Sequence, residues 1–177
     1  NKAEALQAAI FEVLPATSTF KTLVPEGDGL REVAEGEKVE GEAVYLSLDK
    51  DGNMTGFAIS GGEAGYADII GALFGYNPND KVIIGFKVLD SKETPGLGDK
   101  IFKDADFQTN FTALKVEPEI KAVKKGEKKA ENEVEAITGS TISSNAIVRL
   151  LNKSIKKWKK PIDNYLKANN IKTVAND

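Results

Sequence analysis

The stretch VYLSLDKDGNMTGFAIS, residues 44–60, decides the fold class. Val44, Leu46 and Leu48 alternate with Tyr45 and Ser47, the period of a half-buried strand. Asp49-Lys50-Asp51-Gly52-Asn53 is a turn with Gly where a positive φ is needed. Met54–Ser60 then returns as the partner strand. Upstream of this hairpin, residues 25–42 are rich in Gly and Glu and read as loop or an irregular edge. Thr19–Val24 reads as a short strand. Residues 3–14 read as a helix, with Leu6, Ala9, Ile10, Val13 and Leu14 at helical spacing and Pro15 ending the run.

Downstream, Gly61, Gly62 and Gly65 predict a flexible loop ending at Tyr66. Ala67–Gly75 is apolar, and its glycines favour strand over buried helix. Asn77-Pro78-Asn79-Asp80 is a turn. Lys81–Asp90 is a core strand. Residues 91–100 form a loop, followed by a short helix with Phe102, Phe107 and Phe111 inward. Lys115–Val123 predicts a strand, Lys124–Glu133 an exposed charged turn, and Val134–Thr138 a further short strand. The clearest helix comes last, with Ile142, Ala146, Ile147, Leu150, Leu151, Ile155 and Trp158 on one apolar stripe. Lys156, Lys157, Lys159 and Lys160 complement its C-terminal dipole. Pro161 is expected to stop it and start a short final helix through Leu166. Strands gathered before terminal helices predict an α+β fold, not alternating βαβ units. The expected organisation is one domain over 1–177, with a helix over 3–14, a mainly antiparallel twisted sheet core over about 19–138, and terminal helices over about 142–168.

Composition narrows the chemistry. The chain has 177 residues, 41% hydrophobic and 29% charged, which fits a single globular domain. No run of eighteen apolar residues occurs, so no stretch of this sequence reads as a membrane-spanning helix. Cys and His are both absent. That excludes disulfides, thiolate or imidazole metal sites, Cys nucleophiles and a Ser-His-Asp triad. Any redox role therefore requires an organic cofactor. The net charge is −3, unevenly spread: residues 142–177 carry eight Lys+Arg and two Asp+Glu. This basic end reads as a solvated helix face; no nucleic-acid-binding motif accompanies it.

Two loops stand out. The first is EAITGSTISS, residues 135–144, which places five hydroxyls within seven positions at the start of the best helix. Free backbone N–H groups at a helix N-terminus favour an anion, and Gly139 lets backbone approach a ligand. A phosphate cradle and plain N-capping by Ser or Thr both account for the pattern. The second is ETPGLG, residues 93–98, where Pro95 fixes the entry and two glycines free the exit. Leu97 sits exposed at its tip unless it covers something flat and apolar; an ordinary turn is the alternative. A third loop, Gly61–Tyr66, lacks the Lys-Ser/Thr of a P-loop and the context of a dinucleotide fingerprint.

ETPGLG and EAITGSTISS in this order, with the core segment VIIGFKVLDSKETPGLGDKI (82–101), resemble the FMN-binding domain family. Its members include the G subunits of Rnf-type ion-translocating ferredoxin:NAD oxidoreductases, and the C subunits of sodium-translocating NADH:quinone reductases are relatives. The resemblance runs from the first helix to Trp158. It implies an electron-transfer subunit of a membrane-bound ion-translocating complex, without catalytic acid, base or metal of its own. It implies FMN esterified through its phosphate to the last Thr of a Ser/Thr-Gly-Ala-Thr motif, here Thr141, by a flavin transferase that takes it from FAD. Glu93, Thr94, Gly96, Leu97 and Gly98 are then expected near the ring. Thr138, Gly139, Ser140, Ile142 and Ser143 are expected near the phosphate end. Glu135, Thr138, Gly139, Ser140 and Thr141 form the transferase recognition motif. This sequence has Glu135 where the family usually has Asp, and Ser140 where it usually has Ala. The resemblance also implies an N-terminal membrane anchor upstream, and a domain on the periplasmic side of the inner membrane. The implied partners are the rest of the complex and the transferase, not nucleic acid. A soluble reductase binding FMN non-covalently, and a flavin-binding regulatory module without an electron-transfer role, are the alternatives.

Overall fold

The alternation in residues 44–60 builds the centre of a seven-stranded antiparallel sheet. A computed structural model describes residues 2–65, 69–90 and 104–171. The elements in order are α1 (Lys2–Val13), β1 (Thr19–Glu26), β2 (Gly29–Glu32), β3 (Val44–Leu48), β4 (Met54–Ala64), β5 (Ile69–Asn77) and β6 (Val82–Asp90). There follow α2 (Ala105–Gln108), a 3-10 turn (Thr109–Phe111), β7 (Leu114–Lys115), β8 (Lys121–Val123), β9 (Glu133–Glu135) and α3 (Thr141–Ala168). The sheet order is β2-β1-β3-β4-β5-β6-β7, and β8 and β9 form a separate parallel pair. The expected α+β class, antiparallel sheet and flanking helices are all present.

The strand period sorts the side chains between two cores. Val44, Leu46, Phe57, Ile59, Ile70, Ala72, Phe74 and Tyr76 face α3. Ala58 and Leu73 face the opposite way and pack against Ala9, Ile10, Val13 and Leu14 of the α1 segment. The sheet is thus sandwiched between the two helices. α1 lies directly on the backbone of β5 and β6 because Gly75 and Gly85 are paired in register beneath it. A Cβ at Gly75 would fall 2.3 Å from the Val13 carbonyl oxygen, and at Gly85 2.7 Å from it.

Several elements depart from the sequence reading. Gly61 and Gly62 are not a loop: β4 runs on to Ala64, pairing Gly61 with Ala72 and Gly62 with Gly71. The missing side chain at Gly61 makes room for α3, since a Cβ there would lie 2.4 Å from Ser154 Oγ. The strand expected over 115–123 is broken into β7 and β8, with Pro118 between them. Residues 25–42 include the edge strand β2, held by an ion pair from Arg31 to Glu37. Pro161 does not end the terminal helix, which is a single element of 28 residues. An internal proline costs a helix about 3 kcal/mol. Trp158, Ile162, Tyr165 and Leu166 are all buried around it, and each such side chain contributes about 1.5–3 kcal/mol of burial. The lysines at 156–160 are therefore mid-helix, and Lys167 takes the last turn. Ile142 leaves the expected stripe and is 54% exposed.

Candidate functional site

The site is built where β9 turns into α3. β8 and β9 pair in parallel, with Val123 opposite Glu135, and the Ala136 N–H extends the ladder by donating to the Val123 carbonyl at 2.8 Å. Asn110, in the 3-10 turn, grips the other side of β9. Its amide donates to the Phe107 and Glu135 carbonyls at 2.9 and 3.3 Å, and its Oδ1 accepts from the Glu135 N–H at 3.1 Å. That turn is fixed in its place by Phe111, which stacks on Phe86 at 4.6 Å between ring centroids. Asp104 caps α2 by accepting from the Phe107 N–H at 2.8 Å.

The chain then reverses through Ile137–Ser140. The Ser140 N–H donates to the Ile137 carbonyl at 3.0 Å, and Gly139 takes φ +83°, a conformation that favours glycine. Ser140 is the N-cap residue of α3, but its side chain makes no capping hydrogen bond. Ser144 fastens the turn instead. Its hydroxyl donates to the Ser140 carbonyl at 2.8 Å and accepts from the Ile137 N–H at 3.2 Å. The Ser144 N–H also donates to the Ser140 carbonyl, at 3.0 Å.

These bonds sort the five hydroxyls that the sequence places together. Ser140, Ser143 and Ser144 are 5%, 1% and 0% exposed. Thr138 and Thr141 are both exposed, as are Gly139 and Ile142, and Thr138 borders both clefts described below. Thr141 is the first residue of α3, where backbone N–H groups have no intrahelical partner and the dipole favours negative charge. The hydroxyl at the N-cap position itself does not cap α3. Ser144 helps to hold the turn, and Thr141 is exposed.

Two clefts flank the Ala136–Thr138 segment. One, of 540 Å³, is lined by Thr138, Gly139, Thr141, Asn145, Lys124 and Lys125, among others. The other, of 420 Å³, is lined by Asp104, Asp106, Phe107, Asn110 and Glu135 as well as Lys125. Glu135 thus faces the acidic cleft and Thr141 the basic one. The ETPGLG residues Glu93, Thr94, Gly96, Leu97 and Gly98 lie outside the described residues, as does Phe102. Residues that the sequence reading does not single out are Asn110, Asn145, Lys124 and Lys125. Nothing local marks them: the parallel pairing of β8 with β9 brings Lys124 and Lys125 to the turn, and Asn110 reaches Glu135 across 25 positions.

The arrangement offers an exposed hydroxyl on a helix N-terminus beside a cationic cleft, a setting suited to a phosphate ester. Residues 65–156 match the FMN-binding domain family. The chain is 35% identical to the G subunit of the Na(+)-translocating ferredoxin:NAD(+) oxidoreductase complex of Acetobacterium woodii, over 81% of this chain and 69% of that one. It is 30% identical to the G subunit of the ion-translocating oxidoreductase complex of Methanosarcina acetivorans, over 87% of this chain and 75% of that one. Its fold is shared with the crystal structure of the C subunit of the Na(+)-translocating NADH-quinone reductase of Parabacteroides distasonis. There the TM-score is 0.67 at 20% identity, covering 90% of this chain and 92% of that one. The match over more than half the chain, together with these relatives, shows that the chain belongs to the FMN-binding domain family.

Proposed function

We propose that this protein is an electron-transfer subunit of an ion-translocating ferredoxin:NAD oxidoreductase complex, and that it carries FMN joined through its phosphate to Thr141. The names of its relatives support the first part. One observation carries the second. Thr141 opens α3 exposed, while the neighbouring Ser140, Ser143 and Ser144 are buried. A transferase bringing FAD to this turn meets the hydroxyl of Thr141, with Thr138 beside it, and not those of the three serines.

The residues fit such a group. A phosphodiester on Thr141 keeps one negative charge, which the positive end of the α3 dipole stabilises. Thr138 and Gly139 border the same cleft, and exposed Ile142 supplies an apolar surface beside it. FMN supplies the redox chemistry, and the protein's part is to hold it, tune it and set its distance from partners. A covalent tether suits a domain on the periplasmic side of a membrane, where dissociated cofactor is lost by dilution. In that setting its partners are the rest of the complex and, during maturation, a flavin transferase.

The test is the intact mass of acid-denatured protein, made with and without a co-expressed flavin transferase. The expected result is a gain of one FMN less one water only with the transferase, and none in Thr141→Val, which should fold normally. Flavin that leaves on denaturation in the wild type would instead favour a soluble reductase or regulatory module binding FMN non-covalently. Flavin still attached in Thr141→Val would move the acceptor to Thr138, the other threonine of the turn.

A further inference from the structure

We infer that Lys124 and Lys125 are the counter-ions of the flavin phosphate, forming the cationic wall of the cleft beside Thr141. The inference rests on the Thr141 reading and adds residues that lie outside the family motif.

Three observations lead to it. The first is placement. The parallel ladder from Lys121↔Glu133 to Val123↔Glu135, continued by Ala136, carries the chain after β8 alongside the chain after β9. Lys124 and Lys125 therefore reach the same 540 Å³ cleft as Thr138, Gly139, Thr141 and Asn145. The second is charge sorting. The cleft on the other side of Ala136–Thr138 collects Asp104, Asp106 and Glu135 against Lys125 alone, a residue that borders both clefts, whereas Lys124 and Lys125 line the Thr141 cleft with no acidic residue among those described. An anion is thus repelled from one side of the turn and attracted to the other. The third is pairing. Lys81, Lys87, Lys153, Lys157 and Lys159 are all engaged by glutamates. Lys124 and Lys125, like Lys128, Lys156 and Lys160, form no ion pair among the described residues, so their charge is available to a ligand, and it is their place at the cleft that distinguishes them.

The chemical class follows from the geometry. Two lysines on one wall and a helix N-terminus on the other suit a compact oxyanion, and lysine acts there as a mobile point charge. The phosphate of FMN, and the pyrophosphate of FAD as it arrives, are such groups. Because both lysines are exposed, each contributes modestly: roughly a two- to fivefold effect apiece, what an exposed ion pair yields, and screened by salt.

The experiment measures flavin loading from FAD by purified transferase in Lys124→Gln, Lys125→Gln and the double variant. A Lys124→Arg/Lys125→Arg pair and Lys128→Gln/Lys129→Gln serve as controls. The ³¹P signal of the tethered phosphate is recorded in every loaded protein. The expected result is roughly tenfold slower loading in the double glutamine variant, with a weaker dependence on salt. Its ³¹P signal should shift, the arginine pair should restore both, and the Lys128/Lys129 control should change neither. Wild-type loading with an unchanged ³¹P signal in the double variant overturns the inference. Slow loading with an unchanged ³¹P signal also overturns it, by assigning the lysines to transferase docking and not to the phosphate. Attachment surviving Thr141→Val is a separate failure, since it removes the Thr141 reading on which the lysine assignment stands.

Discussion

A buried hydroxyl that bonds in two directions cannot be deleted quietly. Ser144 is 0% exposed, and its oxygen accepts from the Ile137 N–H. Ser144→Ala leaves that N–H without this partner, which costs about 1–3 kcal/mol. The expected outcome is a fold that persists with lower stability in denaturant, and faster hydrogen exchange at the Ile137 amide. Flavin loading should slow as well, because Thr141 is presented by the turn that Ser144 fastens. Exchange at Ile137 as slow as in the wild type would show that the turn holds without Ser144. The sequence displays all five hydroxyls of residues 138–144 but does not separate them. That separation follows from the path of the turn, which Ser144 fastens and which enters from β9, where Asn110 binds the backbone of Glu135 across 25 positions. Local pattern has no access to a contact of that range, so the hydroxyls are legible as a cluster and their exposures are not.

Among the elements, the docking of α1 is the most sharply conditioned. Val13 rests on the paired Gly75 and Gly85, and Gly75→Ala places a methyl 2.3 Å from a backbone oxygen. Backbone does not swing aside as a side chain would, so the cost should reach or exceed the roughly 1–3 kcal/mol of ordinary overpacking. Chemical denaturation should show that loss, with amide exchange rising first in α1. The β1–β2 hairpin makes a different prediction. Arg31 donates to both carboxylate oxygens of Glu37 at 2.9 and 2.7 Å, and the Ala34 N–H donates at 3.0 Å. The Arg31 bonds first, and then the Ala34 bond, lower the Glu37 pKa from its ordinary 4.5 to about 2. A carboxylate depressed in the folded state stabilises it above its unfolded pKa and loses that contribution as pH falls. Protection of the hairpin amides should therefore decline between pH 4.5 and about 2. In Arg31→Gln, the Glu37 midpoint, followed by carboxyl NMR, should move back up. α1, the central hairpin and β6 are all legible in the sequence, because each has a complete period of its own. The parallel β8–β9 pair is not, since each strand is only three residues long. The helix through Pro161 is hidden from local reading because burial of Trp158, Ile162 and Tyr165 against other elements decides it.

At the scale of the whole molecule, α3 joins two jobs that sit at opposite ends. Its first turn carries Thr141, and its last turns close the core over β1 and β2, where Asn164 donates to the Asp28 carbonyl at 2.8 Å. Between them, Lys153 binds Glu63 at 2.6 Å and Arg149 binds the Ala64 carbonyl at 3.1 Å, fixing the middle of the helix to the end of β4. At a rise of 1.5 Å per residue, Ile162 lies about 32 Å from Thr141 along the helix axis. Ile162 is fully buried, so Ile162→Ala should cost about 2–5 kcal/mol through lost transfer energy and a cavity. That is a large share of the roughly 5–15 kcal/mol typical of a domain, yet it should leave the folded state dominant at room temperature. The site, however, is held by Asn110, Gly139 and Ser144, none of which is near that cavity in the chain. Ile162→Ala should therefore lower the melting temperature by several degrees while loading flavin at the wild-type rate per folded molecule. Ser144→Ala should do the reverse, with a smaller loss of stability and a larger loss of loading. A parallel fall of both quantities in Ile162→Ala would mean that the start of α3 depends on packing along its whole length and not on the turn that precedes it.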